Sequence, residues 1–234
     1  MVNMKLKTLL QQDVGSIGIG AMIVFIAMVL VAGIAASVLV QTSTRLEAQA
    51  MVTGSDTTKE VGTGLSVSNV LGYVNKTTAN SPDISRMAIM VRTRAGSEEI
   101  DISETYLEIS DSTRKVIMNY TAKFYRDVAG AVDIFQMHTF LDNHAKAGAQ
   151  YGVIVVEDAD HSISSTTPVM NKGDKLYICV NATAALGPDG ETWPSNGISE
   201  RTKCWGMVVP EHGSPGILKF TTPASYPDAV MDLQ

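Results

Sequence analysis

Hydrophobic and polar positions divide the chain into two regimes. From Val14 to Thr44 no side chain carries a charge. Apolar residues there occupy every face of a helical wheel, so a helix over this stretch needs its whole circumference covered. Such a helix rises about 1.5 Å per residue and reaches roughly 45 Å; about 20 apolar residues already span a bilayer. From Arg45 the pattern loosens, with Leu46, Ala48, Ala50 and Met51 set among Glu47, Gln49 and Asp56. That is a helix passing from apolar into partly wet surroundings. Gly62 and Gly64 end it. The pattern predicts one hydrophobic helix over residues 16–60.

The rest, residues 61–234, changes to short β-type runs. Met87, Ile89 and Val91 alternate with Ala88, Met90 and Arg92, and Ala95-Gly96-Ser97 makes a turn. Ile100, Ile102, Tyr106, Leu107 and Ile109 mark the next strands, followed by residues 151–156, 176–180, 204–209 and 216–220. Short strands separated by Gly, Asn, Asp and Pro turns predict a β-sandwich. Residues 119–150 are less regular, with a short helix expected from Phe140 to Ala147. The expected class is α+β: a long N-terminal apolar helix followed by an antiparallel sandwich.

The order of segments at the N-terminus carries information. Residues 1–15 hold Lys5 and Lys7 and no long apolar run, and the small pair Gly15-Ser16 precedes the apolar stretch. A secretory signal has the reverse order, with its apolar core ahead of the cut. Here cleavage between Gly15 and Ser16 would leave the hydrophobic helix in the mature chain, as in a prepilin-type leader. With Lys5 and Lys7 in place, the segment is a membrane-held precursor with its basic end cytoplasmic. Small residues also recur along the helix. Ala32/Ala36 and Gly33/Ser37 are small-x-x-x-small pairs that let neighbouring backbones approach, and Gly18 and Gly20 keep the helix tip thin.

Charge and composition narrow the classes. A net charge of −6 argues against nucleic acid, which basic patches recognise. An apolar fraction of 45% argues against disorder. Cys179 and Cys204 have no zinc spacing; they are either one disulfide or two buried thiols in neighbouring strands. His138, His144, His161 and His212 are scattered, and no nucleophile-elbow, zincin, Walker or Rossmann pattern occurs, so no catalytic residue is assigned. The run Glu157-Asp158-Ala159-Asp160-His161 reads first as a solvated turn. Asp158 and Asp160 are weak candidates for Ca²⁺, which Asp174 could join if the fold brings it near, although the EF-hand ligand set is missing. Asn75, Asn119 and Asn181 each open an N-x-T sequon that an exported chain can glycosylate.

Gly15-Ser16-Ile17-Gly18-Ile19-Gly20, the run from Ile23 to Ala32 including Phe25, and Ala35-Ala36-Ser37-Val38-Leu39 resemble the N-terminal signature of archaellins, the archaeal flagellins. More loosely similar are Arg94-Ala95-Gly96-Ser97, Gly173-Asp174-Lys175-Leu176 and the tail from Pro215 to Gln234. The resemblance implies cleavage after Gly15 by a prepilin-type (preflagellin) peptidase; Asp13-Val14 stand where the family usually has a basic residue. It implies an immunoglobulin-like sandwich outside a helical core, N-glycosylation, and a helical homopolymer, with or without other archaellins, at the cell surface. It also implies a membrane assembly and motor complex that rotates the filament for swimming. The alternatives are a type IV pilin-like adhesion filament, against which Gly20 stands where many pilins have Glu, and a membrane-anchored extracellular binding module.

Overall fold

The computed structural model describes residues 2–76, 83–127, 133–137, 148–186 and 197–234. The chain divides into two compact units, Met1–Asp56 and Thr57–Gln234. A single helix, α1, runs Val2–Gly62. It therefore includes residues 2–15, expected to be a leader, as well as the stretch expected to be helical. Gly15 and Ser16 are helical in backbone.

The second unit is built from eleven strands and two short helices among the described residues. In order these are β1 (Leu65–Val74), β2 (Ile84–Thr93), β3 (Ile100–Asp101), β4 (Tyr106–Ser110), β5 (Lys115–Asp127), α2 (Ile134–Met137), β6 (Gln150–Glu157), β7 (Val169–Met170), β8 (Lys175–Asn181), α3 (Ala182–Leu186), β9 (Lys203–Val209), β10 (Gly216–Thr221) and β11 (Val230–Asp232). Nine strands form one ladder in the order β10-β9-β4-β5-β6-β8-β2-β1-β11, while β3 and β7 make a separate ribbon. Every pairing is antiparallel except β5 with β6.

The ladder folds back on itself. One apolar cluster contains Leu218 of β10, Val208 of β9, Leu107 and Ile109 of β4, Ile178 of β8, Ile89 of β2, Leu65 of β1 and Met231 of β11. Residues from opposite ends of the strand order thus share one interior, as in a two-layer sandwich. β5 passes between the halves, and its register with β6 slips between Tyr120 and Tyr125, a bulge of the kind that bends a sheet. Near the far ends, Leu65 N–H donates to Ser214 O at 3.1 Å and Ser214 N–H donates to Thr63 O at 2.9 Å. At Gly206 a Cβ would lie 2.2 Å from Glu108 O, so only glycine permits β9 to pack that closely on β4.

The strands expected near 87–94, 151–156, 176–180, 204–209 and 216–220 correspond to β2, β6, β8, β9 and β10. The expected helix at Phe140–Ala147 lies outside the described residues. A short helix stands at Ile134–Met137 instead, and its Phe135 stacks on Tyr73 with ring centroids 5.2 Å apart. With Ala88, Ile154, Tyr177 and Cys179 it closes a second apolar cluster.

Candidate assembly interface

The most conspicuous surface belongs to α1. Fourteen large apolar side chains between Ile19 and Val40 are 52–68% exposed, Phe25 among them at 67%. Monomeric proteins rarely expose contiguous apolar patches beyond a few hundred Å², so this face needs a covering that one chain does not supply. The helix is long and apolar enough to cross a membrane over part of Gly18–Gly62. Its glycines give a second signal. A Cβ built on Gly18, Gly20, Gly33 or Gly54 meets nothing within 4 Å. Glycine inside a helix costs about 1 kcal/mol relative to alanine, and at Gly18, Gly20 and Gly33 a side chain would have open space. Ala32, Ala36 and Ser37 are exposed on the same helix. The structure brings none of these residues against another element of their own unit.

The last residues of α1, from Thr57 on, belong to the second unit and bond within it. Lys59 Nζ lies 3.3 Å from Glu98 Oε2, an exposed pair, and Thr63 N–H donates to Lys59 O at 2.8 Å. Gly64 N–H donates to Ser97 Oγ at 3.2 Å.

The other candidates separate clearly. Cys179 and Cys204 are both buried and free, which corrects the disulfide alternative. Cys179 lies in the cluster under Phe135, whereas Cys204 lies in the main core, and three strands separate β8 from β9 in the ladder, so the two thiols are buried as expected but not in neighbouring strands. Burial pushes the Cys179 thiol far up; burial and, secondarily, the Asp111 carboxylate push Cys204 up to about 12. Both are inert thiols at neutral pH.

Asn181 is 1% exposed and its Oδ1 accepts the Ala184 N–H at 3.0 Å. It is an N-cap for α3, which corrects its assignment as a surface glycan acceptor. Asn75 is half-buried after β1, and Thr77 of its sequon lies outside the described residues. Asn119 is exposed on β5.

Asp158, Asp160 and Asp174 come together, with one carboxylate oxygen from each inside a 4.8 Å span. The loop is already clipped by these carboxylates. Asp158 accepts the Ser162 and Ile163 N–H groups at 3.2 and 3.0 Å, and Asp174 accepts the Asn171 N–H at 2.8 Å. His161 sits at φ 59° in the tight turn. Burial first, and then Asp158 and Asp160, push the Asp174 carboxyl above the usual range despite its hydrogen bonds. Asp160 is shifted the other way: slight desolvation raises it, but donors on Asn171 and Ser162 outweigh that. His212 pairs loosely with Glu211 at 3.4 Å on the surface. His138 and His144 lie outside the described residues. Among the described residues no other group of three His, Cys, Asp or Glu could share a metal.

One feature escaped the strand pattern. β9 is apolar on both faces: Cys204 and Val208 point inward, while Trp205 stays 40% exposed. With Ile217 and Ile117 at 65% and 57%, the outer face of β5-β4-β9-β10 is also greasy.

The chain is similar to known proteins. The archaeal-type flagellin sequence profile matches residues 15–220. The chain is 39% identical over 224 residues to flagellin B2 of Methanocaldococcus jannaschii, covering 95% of each protein. It is 37% identical over 252 residues to flagellin B3 of Thermococcus kodakarensis, covering 94% of this chain and 97% of that protein. The crystal structure of archaeal flagellin FlaB1 from Methanocaldococcus jannaschii aligns with a TM-score of 0.59 at 33% identity, over 74% of this chain and 97% of that one. The archaeal flagellum of Methanospirillum hungatei strain JF1 shares the fold, with a TM-score of 0.60 at 15% identity over 92% of this chain and 98% of that one.

Proposed function

We propose, from the premise that this chain belongs to the archaeal-type flagellin family and is a structural subunit of an archaeal flagellum filament, a specific route by which its helix reaches that filament. The subunit starts as a membrane precursor, with α1 in the bilayer and Lys5 and Lys7 on the cytoplasmic side. A prepilin-type peptidase cuts between Gly15 and Ser16, freeing the helix tip. The helix then leaves lipid for a core made of copies of itself.

Lipid and a bundle of Leu, Ile and Val are almost equally apolar, so the hydrophobic effect barely distinguishes the two states. Close backbone packing has to favour the bundle, and the solvent-facing glycines and alanines of α1 supply the room for it. An energy-driven membrane complex completes the transfer and turns the filament for swimming. A heterologous contact that does not close on itself extends into an open helical polymer. The β unit stays outside as the extracellular surface, and Asp158, Asp160 and Asp174 offer it hard oxygen ligands for a divalent cation such as Ca²⁺.

The observation that carries this reading is α1 itself, apolar and exposed around its circumference, with open space beside Gly18, Gly20 and Gly33. Gly33→Leu tests it. Nothing within the chain obstructs the new side chain, so the β unit keeps its melting temperature while the yield of sheared filaments collapses. Normal filaments from this variant would overturn close helix packing as the source of assembly. An unchanged membrane-bound protein with no filaments in the wild type either would favour the anchored binding module.

A further inference from the structure

We infer that Arg45 and Glu47 pair between neighbouring copies of α1, Arg45 of one with Glu47 of the next, and that this ion pair fixes the axial register of the filament core. This rests on the filament reading and goes beyond it, from helix packing as such to the residues that select one packing among many.

The sequence isolates the two charges. No charged side chain stands between Asp13 and Arg45, and none stands between Glu47 and Asp56. Both side chains are exposed, and neither has an ion pair or a hydrogen-bond partner among the described residues. Nor do they serve one another. Two residues along a helix stand about 200° apart around its axis, on opposite sides. α1 therefore carries a cation on one flank and a carboxylate on the other, at nearly the same height.

The two flanks differ as a donor and its receiving site differ. Glu47 shares its flank with Ser43, Ala50 and Gly54, and a Cβ on Gly54 would meet nothing within 4 Å. These small residues leave space for a guanidinium arriving from a neighbour, whose planar fork can engage the carboxylate through two bonds. Arg45 shares its flank with Gln41 and Gln49. Their amides stand ready to bond what the pair leaves open, as a desolvated ion pair requires.

Opposite signs on opposite flanks suit a heterologous contact. Copies that leave one membrane run parallel. In a row of them the Arg45 flank of each helix meets the Glu47 flank of the next, and the pattern repeats without closing. A two-fold contact would instead set like charge against like. Level pairing offsets neighbouring helices by about 3 Å along the axis. The uncharged run holds no such lock, because apolar side chains still pack on apolar side chains after a slip of one turn, about 5.4 Å. A slip that parts Arg45 from Glu47 leaves two unpaired charges in apolar surroundings, so the pair specifies register. In the membrane both residues lie beyond the uncharged run, which is longer than the hydrocarbon thickness of about 30 Å. Their charges face headgroups and water there, and they pair in the bundle.

The experiment expresses the full chain in its own cells as wild type, Arg45→Glu, Glu47→Arg and the exchange of both. It compares the yield of sheared filaments with the amount of leader-cleaved subunit. Each single reversal is expected to cut filament yield at least about tenfold, because it sets like charges face to face. The double exchange is expected to recover most of that yield, with cleaved subunit at the wild-type level throughout. Oxidised filaments of the double variant Arg45→Cys with Glu47→Cys are expected to give a ladder of linked subunits; Cys179 and Cys204 are buried and add nothing to it. Single reversals that assemble like wild type would overturn the inference and leave the filament reading intact. A double exchange no better than the single reversals would overturn it too, as would double-cysteine filaments without a ladder. Dimers from Arg45→Cys alone would overturn it in favour of a two-fold contact. Wild type that yields no filaments would overturn both this inference and the filament reading beneath it.

Discussion

The Asn181 side-chain oxygen accepts the Ala184 amide proton at 3.0 Å and so begins α3 inside the β unit. A motif that reads as a surface sequon is, in the fold, an internal helix cap. The Thr183 hydroxyl of the same sequon is 2% exposed and has no hydrogen-bond partner among the described residues. The two positions therefore respond in opposite directions. Asn181→Ala removes a cap and costs about 1–2 kcal/mol. Thr183→Val removes an unsatisfied buried hydroxyl and stabilises by up to about 1 kcal/mol. For a domain of this size each kcal/mol moves the melting temperature by about 2–4 °C, which calorimetry resolves. A lower melting temperature for Thr183→Val would show that its hydroxyl is satisfied.

Tyr151 is fully buried, and its hydroxyl lies 2.8 Å from Thr105 O and 3.1 Å from Ile102 O. It ties β6 to the turn before β4. Burial pushes its phenol far above the usual range, with Tyr120 and Asp101 adding to the effect, so the proton stays on the oxygen at all working pH values. Tyr151→Phe keeps the ring and removes the one hydroxyl proton that serves Thr105 O, while Ile102 O keeps the Thr105 N–H at 3.2 Å. The expected loss is about 1–3 kcal/mol, read from urea unfolding as a lower midpoint at unchanged slope.

Asp174 is an acid whose folded-state titration is raised by burial and by Asp158 and Asp160. Folding then favours its protonated form. The resulting penalty is absent below the unfolded carboxylate range, grows as pH rises through the raised folded value, and is complete above it. Asp174→Asn keeps an oxygen for the Asn171 N–H and removes the charge. It should melt higher than wild type at pH 7 without divalent cations, and the gap should shrink as the pH falls toward 4. Millimolar Ca²⁺ should stabilise wild type and leave Asp174→Asn nearly unmoved; chelator should reverse the effect. Equal responses to Ca²⁺ in the two proteins would remove the cation role.

Much of this was legible in the residues. The uncharged run from Val14 to Thr44 announces α1 because only a helix satisfies backbone groups in apolar surroundings. The alternation in residues 87–92 and the apolar run 151–156 announce strands β2 and β6. β1 escaped because Ser66, Ser68, Asn69 and Gly72 give it a loop-like composition, although Leu65, Val70 and Val74 face the core. Most of β5 escaped because Lys115, Asn119 and Lys123 interrupt its apolar pattern. Asp158 and Asp160 are neighbours in sequence, and Asp174, expected near them, is brought there by the pairing of β6 with β8. The disulfide alternative failed for a related reason: spacing between Cys179 and Cys204 says nothing of which face of which strand each occupies.

The central claim is that α1 becomes a filament core only after losing its leader. The most direct measurement is N-terminal sequencing of filaments sheared from cells, alongside the membrane fraction. The account predicts Ser16 as the first residue in filaments, Met1 only in membranes, and no filaments from a Gly15→Val variant that keeps its leader. Filaments whose subunits begin at Met1 would contradict it.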